Sequence, residues 1–127
     1  MISKKSDIYG TDNAIMQLFE NWFDPCELSN DELRLFDGLG SDWKDRTFIN
    51  PPYSNPLPWV KQAIKENKKG KLIVMLLKMD TSTKWFKELQ EAGAMFLWIN
   101  GRLKFNTGKP ANFPSMIAIL SRKNEKN

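Results

Sequence analysis

Apolar residues follow two spacings along this chain, which together predict short buried strands alternating with helices. The longest apolar stretch lies within Lys71–Leu77 and is typical of a strand in the middle of a parallel sheet. Shorter apolar runs predict further strands over residues 46–50, 94–99 and 116–120. A short strand beginning at Trp22 is predicted to end at Asp24, because Pro25 removes the next ladder donor.

Helical spacing of apolar residues predicts three helices. The first begins near residue 11, with Thr11 or Asp12 as N-cap, and its apolar face consists of Ile15, Leu18, Phe19 and Trp22. The second runs from about Pro56 or Leu57 to Asn67, and the third is capped by Thr81 or Ser82 and ends near residue 93. Strands alternating with helices favour an α/β fold with a mostly parallel sheet flanked by helices, with an antiparallel edge strand as an option.

Length and segment composition predict a single domain. At 127 residues the chain is long enough for one hydrophobic core. Residues 1–8 are expected to form a flexible tail, residues 9–120 the domain and residues 121–127 a charged tail. The polar N-terminus and the lack of a long apolar run predict a cytoplasmic protein that does not enter a membrane.

The residue types that are missing exclude several kinds of chemistry. The chain has no histidine, and Cys26 is its only cysteine. The chain therefore lacks the residues needed for a histidine- or cysteine-based zinc site, a histidine-dependent triad or an intramolecular disulfide.

Charge is unevenly distributed. The net charge is +4, but residues 24–45 carry seven acids against two basic residues, a local balance of −5 that leaves +9 for the remainder. This asymmetry is compatible with an acidic pocket and a separate basic face that meets phosphates. Solvated charge on helices and loops explains the same numbers, so charge alone does not decide.

The strongest chemical signal is the Asn-Pro-Pro-Tyr sequence that directly follows the strand over 46–50, here called the Asn50–Tyr53 motif. Two prolines end the strand, and the residue before a proline is held extended. The carboxyl ends of strands are where ligands bind in open α/β sheets. An amide oxygen, a fixed carbonyl and an aromatic ring then converge, which suits a planar heterocycle with an exocyclic amine. The alternative is an ordinary proline-rich turn with a surface tyrosine.

With its flanking segments, this motif resembles that of S-adenosylmethionine-dependent amino-methyltransferases and, more narrowly, of the small phage-type DNA N6-adenine methyltransferases. The resemblance runs from about residue 9 to residue 120 and includes Tyr9-Gly10-Thr11, Asp24-Pro25-Cys26, Asp37-Gly38-Leu39, Asp42-Trp43, Asp80-Thr81-Ser82, Gly101 to Phe105 and Phe113-Pro114-Ser115. Two features depart from the family. Asp24 to Glu27 stand where most methyltransferases of this fold have a glycine-rich turn, and Asp12 stands where the family often has proline.

The resemblance implies a Rossmann-like methyltransferase fold and direct methyl transfer to N6 of adenine in DNA, without a metal. The amide oxygen of Asn50 and the carbonyl of Pro51 would accept hydrogen bonds from N6, and Tyr53 would stack on a base turned out of the duplex. The implied catalytic residues are Asn50, Pro51, Pro52 and Tyr53. The implied S-adenosylmethionine-binding residues are Tyr9, Thr11, Asp24, Pro25, Asp42 and Asn50.

DNA is the expected partner. Candidate phosphate contacts, on strand ends or the loops after them, are Lys78, Arg102, Lys104 and Lys109. The lysines of residues 61–71 are expected to form a solvated helix face. A chain this small covers few base pairs, which places a homodimer among the expectations. If the chain is phage-encoded, its expected location is the host cytoplasm.

Two other functions are compatible with the motif. One is methyl transfer to another amino group: an RNA base, cytosine N4 or a glutamine side chain. The other is a degenerate DNA-binding domain without catalysis, which the missing glycine-rich turn favours. Thr11 acting only as a helix cap, and Asp42 acting only in a turn, are the structural alternatives to cofactor binding.

Overall fold

The computed structural model describes residues 11–26, 38–101 and 114–122. Its elements, in chain order, are α1 (Thr11–Leu18), β1 (Arg46–Ile49), α2 (Leu57–Lys68), β2 (Leu72–Lys78), α3 (Lys84–Glu91), β3 (Met95–Trp98) and β4 (Ser115–Leu120). The α/β class predicted from the sequence is confirmed. No helix in the described ranges is both long and apolar enough to cross a membrane.

The sheet order is β1-β2-β4-β3. β1 pairs with β2 in parallel, whereas β4 is antiparallel to both β2 and β3. β1, β2 and β3 therefore run in one direction, but two of the three pairings are antiparallel. The prediction of a mostly parallel sheet is wrong in its pairings, and the antiparallel strand is interior rather than at an edge.

β4 is suited to an interior position because both of its faces are apolar. Met116, Ala118 and Leu120 are buried on one face, and Ile117 and Ile119 are partly buried on the other. The same apolar run suits a strand of either direction, so the pattern did not reveal that β4 returns between β2 and β3.

β2 separates two apolar layers because successive side chains of a strand point to opposite faces. On one face, Ile73, Met75 and Leu77 are fully or almost fully buried in the main core with residues of α2 and α3. On the other face, Val74 and Leu76 join Phe48 and the aromatic residues that follow α1.

The helix predictions are largely confirmed, with two corrections. α2 buries Trp59, Val60 and Ala63, as its spacing predicted. The N-cap of α3 is Thr83, whose Oγ1 accepts a hydrogen bond from the backbone N–H of Phe86 at 3.2 Å, rather than Thr81 or Ser82. Leu18 is 71% exposed and lies off the predicted apolar face of α1.

Candidate active site

Three strand ends meet at one edge of the sheet, here called the carboxyl edge. β1 ends at Ile49 and β2 at Lys78, while β4 begins at Ser115, the antiparallel partner of Lys78. The start of β4 is fixed there by two backbone hydrogen bonds, from Met79 N–H to the Pro114 carbonyl (2.8 Å) and from Ile99 N–H to the Ser115 carbonyl (3.2 Å). The loops after three parallel-running strands therefore lie at the edge where α/β proteins bind ligands.

Asp24 reaches the same edge from the other side of β1. Phe23 forms an isolated parallel bridge with Thr47, and its carbonyl accepts from Phe48 N–H at 2.9 Å. The predicted short strand is thus reduced to a single bridge. The Asp24 carboxylate accepts from Cys26 N–H at 2.9 Å, so it closes a tight turn in the place of the missing glycine-rich turn. Pro25 and Cys26 are buried within this turn.

The Asn50–Tyr53 motif leaves the end of β1 as the sequence predicted. Pro51 is buried, and the carbonyl of Pro52 accepts from Asn55 N–H at 3.3 Å, which turns the chain toward α2. Tyr53 is half-buried beside this turn. The motif is therefore held between two regular elements, β1 and α2.

The Asn50 side chain carries the most informative atom of the site. Its Oδ1 is buried, and within the described ranges no donor lies within hydrogen-bonding reach of it. Buried polar atoms normally have a partner, and an exception calls for an explanation. An acceptor held ready for an amino group of a ligand is such an explanation.

Two polar residues of the carboxyl edge were not among the predicted site residues. The hydroxyl (2.6 Å) and backbone N–H (3.1 Å) of Ser82 donate to Asp80 Oδ1. These bonds, with the charge of Lys78, hold the pKa of Asp80 below its usual value. Asp80 is thus a carboxylate at neutral pH. Ser115 is fully buried, and its Oγ has no partner among the described residues. Both residues lie in segments that carry the family resemblance. That resemblance was the sequence signal from which these two site residues could have been identified.

Asp42 lies away from this edge. It belongs to the loop before β1, its carboxylate is 85% exposed, and it pairs with Lys69 at 3.3 Å. The structure therefore does not bring Asp42 together with Asn50 and Asp24, and its role in cofactor binding stays a prediction.

A buried carboxylate, Glu66, anchors the same loop. Glu66 accepts from Trp43 N–H (3.3 Å), Gln62 (3.1 Å), Lys69 (3.3 Å) and Lys71. Burial alone would raise the pKa of Glu66, but the hydrogen bonds from Lys71, Trp43 and Lys69 outweigh it and leave the pKa below its usual value. This network is structural, because it joins α2 to the loop before β1.

Of the remaining predicted site residues, some lie within the described residues and others outside them. Lys78 is half-buried at the end of β2, and Thr11 is the first residue of α1. Tyr9, Arg102, Lys104 and Lys109 lie outside the described residues. The described ranges contain no group of three or more residues of the types that hold metals.

The carboxyl edge thus brings together a buried amide oxygen of Asn50, the carboxylate of Asp24 beside β1 and Lys78 at the end of the neighbouring strand. The model of the family described as DNA N-6-adenine-methyltransferase (Dam) matches residues 35–126. The chain belongs to this family. Membership confirms the predicted family and the predicted adenine-specific DNA methyltransferase activity.

Two curated proteins named DNA N-6-adenine-methyltransferase are similar to the chain. That of Haemophilus phage HP1 (strain HP1c1) is 33% identical over 144 aligned positions, which cover 95% of this chain and 83% of that protein. That of Escherichia phage T1 is 43% identical over 56 residues, which cover 44% of this chain and 24% of that protein. No solved structure matches the chain.

Proposed function

We propose that this chain takes the methyl group from S-adenosylmethionine and places it directly on N6 of adenine in DNA, with the Asn50–Tyr53 motif as its catalytic segment. The observation that carries the proposal is the buried Asn50 Oδ1, which lacks a donor among the described residues. An amino group of a substrate base is a donor that matches it.

Asn50 and Pro51 act on the nucleophile. The N6 amine of adenine is a poor nucleophile because its lone pair is delocalised into the ring. Hydrogen bonds from N6 to Asn50 Oδ1 and to the Pro51 carbonyl favour a tetrahedral nitrogen and localise that lone pair. As the new N–CH3 bond replaces the S–CH3 bond, N6 would lose one of its two protons to solvent. The rigid exit from β1 holds both acceptors in place, so alignment requires little reorganisation.

Tyr53 and Pro52 position the base. An adenine inside a duplex is out of reach, so the target nucleotide has to leave the stack. Tyr53 stacks on the extruded ring, and Pro52 fixes the turn that presents the tyrosine, since its carbonyl holds Asn55 N–H.

S-adenosylmethionine, when bound, supplies an activated methyl group on a positively charged sulfonium. The residues proposed to hold it at the carboxyl edge are Asp24 and Pro25, with Asn50 at its boundary. A carboxylate near a positive charge is electrostatically favourable, and Asp24 lies beside β1, close to the strand end at which the motif begins. Further proposed contacts come from Tyr9, Thr11 and Asp42.

The proposal includes a Rossmann-like methyltransferase fold and phosphate contacts from basic residues. The common direction of β1, β2 and β3, with the motif at their carboxyl ends, supports the fold. Lys78 stands at this edge and is the proposed phosphate contact within the described residues, with Arg102, Lys104 and Lys109 beyond them.

The test is transfer of labelled methyl from S-adenosylmethionine to unmethylated DNA, with nucleoside analysis of the digest. The wild type is expected to yield labelled N6-methyladenine, and N50A to lose on the order of 100-fold or more in rate, the scale of removing one preorganised polar group from an active site. The matched control is N55A, which removes an exposed amide from the same turn and is expected to retain activity.

Other outcomes separate the alternatives. Label in RNA, in cytosine or in protein would keep the mechanism and change the substrate. Absence of label, together with no S-adenosylmethionine binding by calorimetry, would refute the proposal and favour a DNA-binding domain without catalysis. Equal loss in N50A and N55A would show that the turn, and not the amide, is required.

A further inference from the structure

Ser115 carries a further buried oxygen at the carboxyl edge. The residue is 0% exposed, and its Oγ has no hydrogen-bond partner among the described residues. By contrast Thr47, equally buried, donates its hydroxyl to the Lys44 carbonyl at 2.9 Å. A hydroxyl that has lost water and gained no partner destabilises the fold.

Backbone bonds fix where the main chain of Ser115 lies. The Ser115 carbonyl accepts from Ile99 N–H at 3.2 Å, and the neighbouring Pro114 carbonyl accepts from Met79 N–H at 2.8 Å. The first residue of β4 is therefore held between the ends of β2 and β3.

A lysine stands next to this hydroxyl. Ser115 and Lys78 are antiparallel partners, and side chains of directly opposed residues lie on the same face, roughly 5 Å apart at Cβ. The charge of Lys78 acts on Asp80, in addition to the stronger hydrogen bonds from Ser82 that lower the Asp80 pKa.

The distance to the motif suits a different part of the same nucleotide. β2 lies between β1 and β4, so Asn50 and Ser115 stand roughly 10 Å apart across the sheet. One amino group cannot bond both side chains at this separation. If the base of a nucleotide binds at Asn50, the sugar and phosphate of that nucleotide can span the distance to Ser115.

We propose that Ser115 and Lys78 together bind a backbone phosphate at the target nucleotide, with the Ser115 hydroxyl as the hydrogen-bond donor. The inference rests on the proposed function, since it takes the base on Asn50 as its reference. Serine hydroxyls and lysine ammonium groups are ordinary phosphate ligands in protein–DNA complexes. Both oxygens, Asn50 Oδ1 and Ser115 Oγ, are buried polar atoms without a hydrogen-bond partner among the described residues.

The test is S115A, measured for thermal stability and for steady-state methyl transfer with DNA and S-adenosylmethionine varied separately. We expect an unchanged or higher Tm, because an unpartnered hydroxyl is removed, and a KM for DNA raised about 10-fold by loss of a hydrogen bond to a charged group. The KM for S-adenosylmethionine and kcat are expected to stay within about 2-fold, since a phosphate contact is uniform binding.

Two companion variants sharpen the result. T47V removes the hydrogen-bonded hydroxyl, and we expect a lower Tm with an unchanged KM for DNA. K78Q is expected to raise the KM for DNA, and the double variant S115A/K78Q to raise it by less than the product of the single effects, because both residues contact one phosphate.

The opposing outcomes are distinct. A wild type that does not methylate DNA refutes the proposed function itself. If the wild type is active, an unchanged DNA KM in S115A overturns only the role of Ser115. A rise in the KM for S-adenosylmethionine alone would assign Ser115 to the cofactor pocket instead. A large fall in Tm or failure to fold would make the hydroxyl structural, and each of these results overturns the proposal.

Discussion

At the scale of single residues, Asn50 and Asp24 carry different parts of the proposed chemistry. Asn50 presents an oxygen that the rest of the described chain leaves unbonded. Asp24 has a local role as well, because its carboxylate holds Cys26 N–H at 2.9 Å. A substitution at Asp24 therefore tests cofactor binding only if it keeps the turn.

Asp24→Asn separates these two roles. An asparagine oxygen still accepts from Cys26 N–H, whereas the negative charge is lost. We expect Tm to change little and the Kd for S-adenosylmethionine, measured by calorimetry, to rise about 10-fold, an effect of about 1.4 kcal/mol within the range of a partly exposed charge interaction. D24A is expected to lose both the turn and the affinity. An unchanged Kd in D24N would remove Asp24 from the proposed cofactor site.

At the scale of elements, α2 joins the motif to a buried ion cluster. Its first turn follows the Asn50–Tyr53 motif, and the fully buried Glu66 in its last turn pairs with the mostly buried Lys71. Because hydrogen bonds keep the pKa of Glu66 below its usual value of 4.5, the folded chain binds this proton more weakly than the unfolded chain. The stabilisation is complete above about pH 4.5 and is lost as pH falls through the folded-state pKa.

Glu66→Gln is expected to lower the free energy of unfolding near pH 7 by on the order of 3 kcal/mol, because Lys71 loses its buried partner. The difference from wild type should shrink as pH falls below about 4.5 in denaturant titrations. E88Q, which breaks the more exposed Lys61–Glu88 pair of 3.0 Å, is the control and should cost less than about 1 kcal/mol. A difference that stays constant with pH would contradict the role assigned to Glu66 ionisation.

At the scale of the whole molecule, the strand order decides where the unevenly distributed charges lie relative to the motif. Residues 24–45 carry −5 and the rest of the chain +9. The strand order brings Lys78 to the same edge as the motif, so at least one basic residue stands beside the site proposed to receive the target base. A homodimer and a location in a host cytoplasm stay predictions.

Lys78→Gln is expected to reduce the slope of log K for DNA against log salt by about 1, the effect of one lost phosphate contact. Fluorescence anisotropy with one duplex across a salt series measures this slope. K65Q removes an exposed lysine of α2, on the face predicted to be solvated, and should leave the slope unchanged. Equal changes in both variants would indicate diffuse attraction in place of a defined contact.

The sequence by itself determined the element types, the family and the position of the motif. Each depends on local information: apolar spacing predicted α2 and β2 within a residue or two, and the two prolines ended β1 next to Asn50. The cap of α3 was misplaced by one or two residues, because Thr81, Ser82 and Thr83 are all good caps and only the observed bond to Phe86 N–H distinguishes them.

Only the tertiary structure decided the placement of β4 and the neighbours of each polar group. An apolar run has no direction, so the return of β4 between β2 and β3 could not be read from its residues. The same return brings Ser115 beside Lys78, although 36 residues lie between them in the chain. Asp42 shows the reverse effect, because its proximity to the motif in sequence does not bring it to the carboxyl edge. Partnership across a sheet depends on strand order and register, which arise from packing of the whole chain.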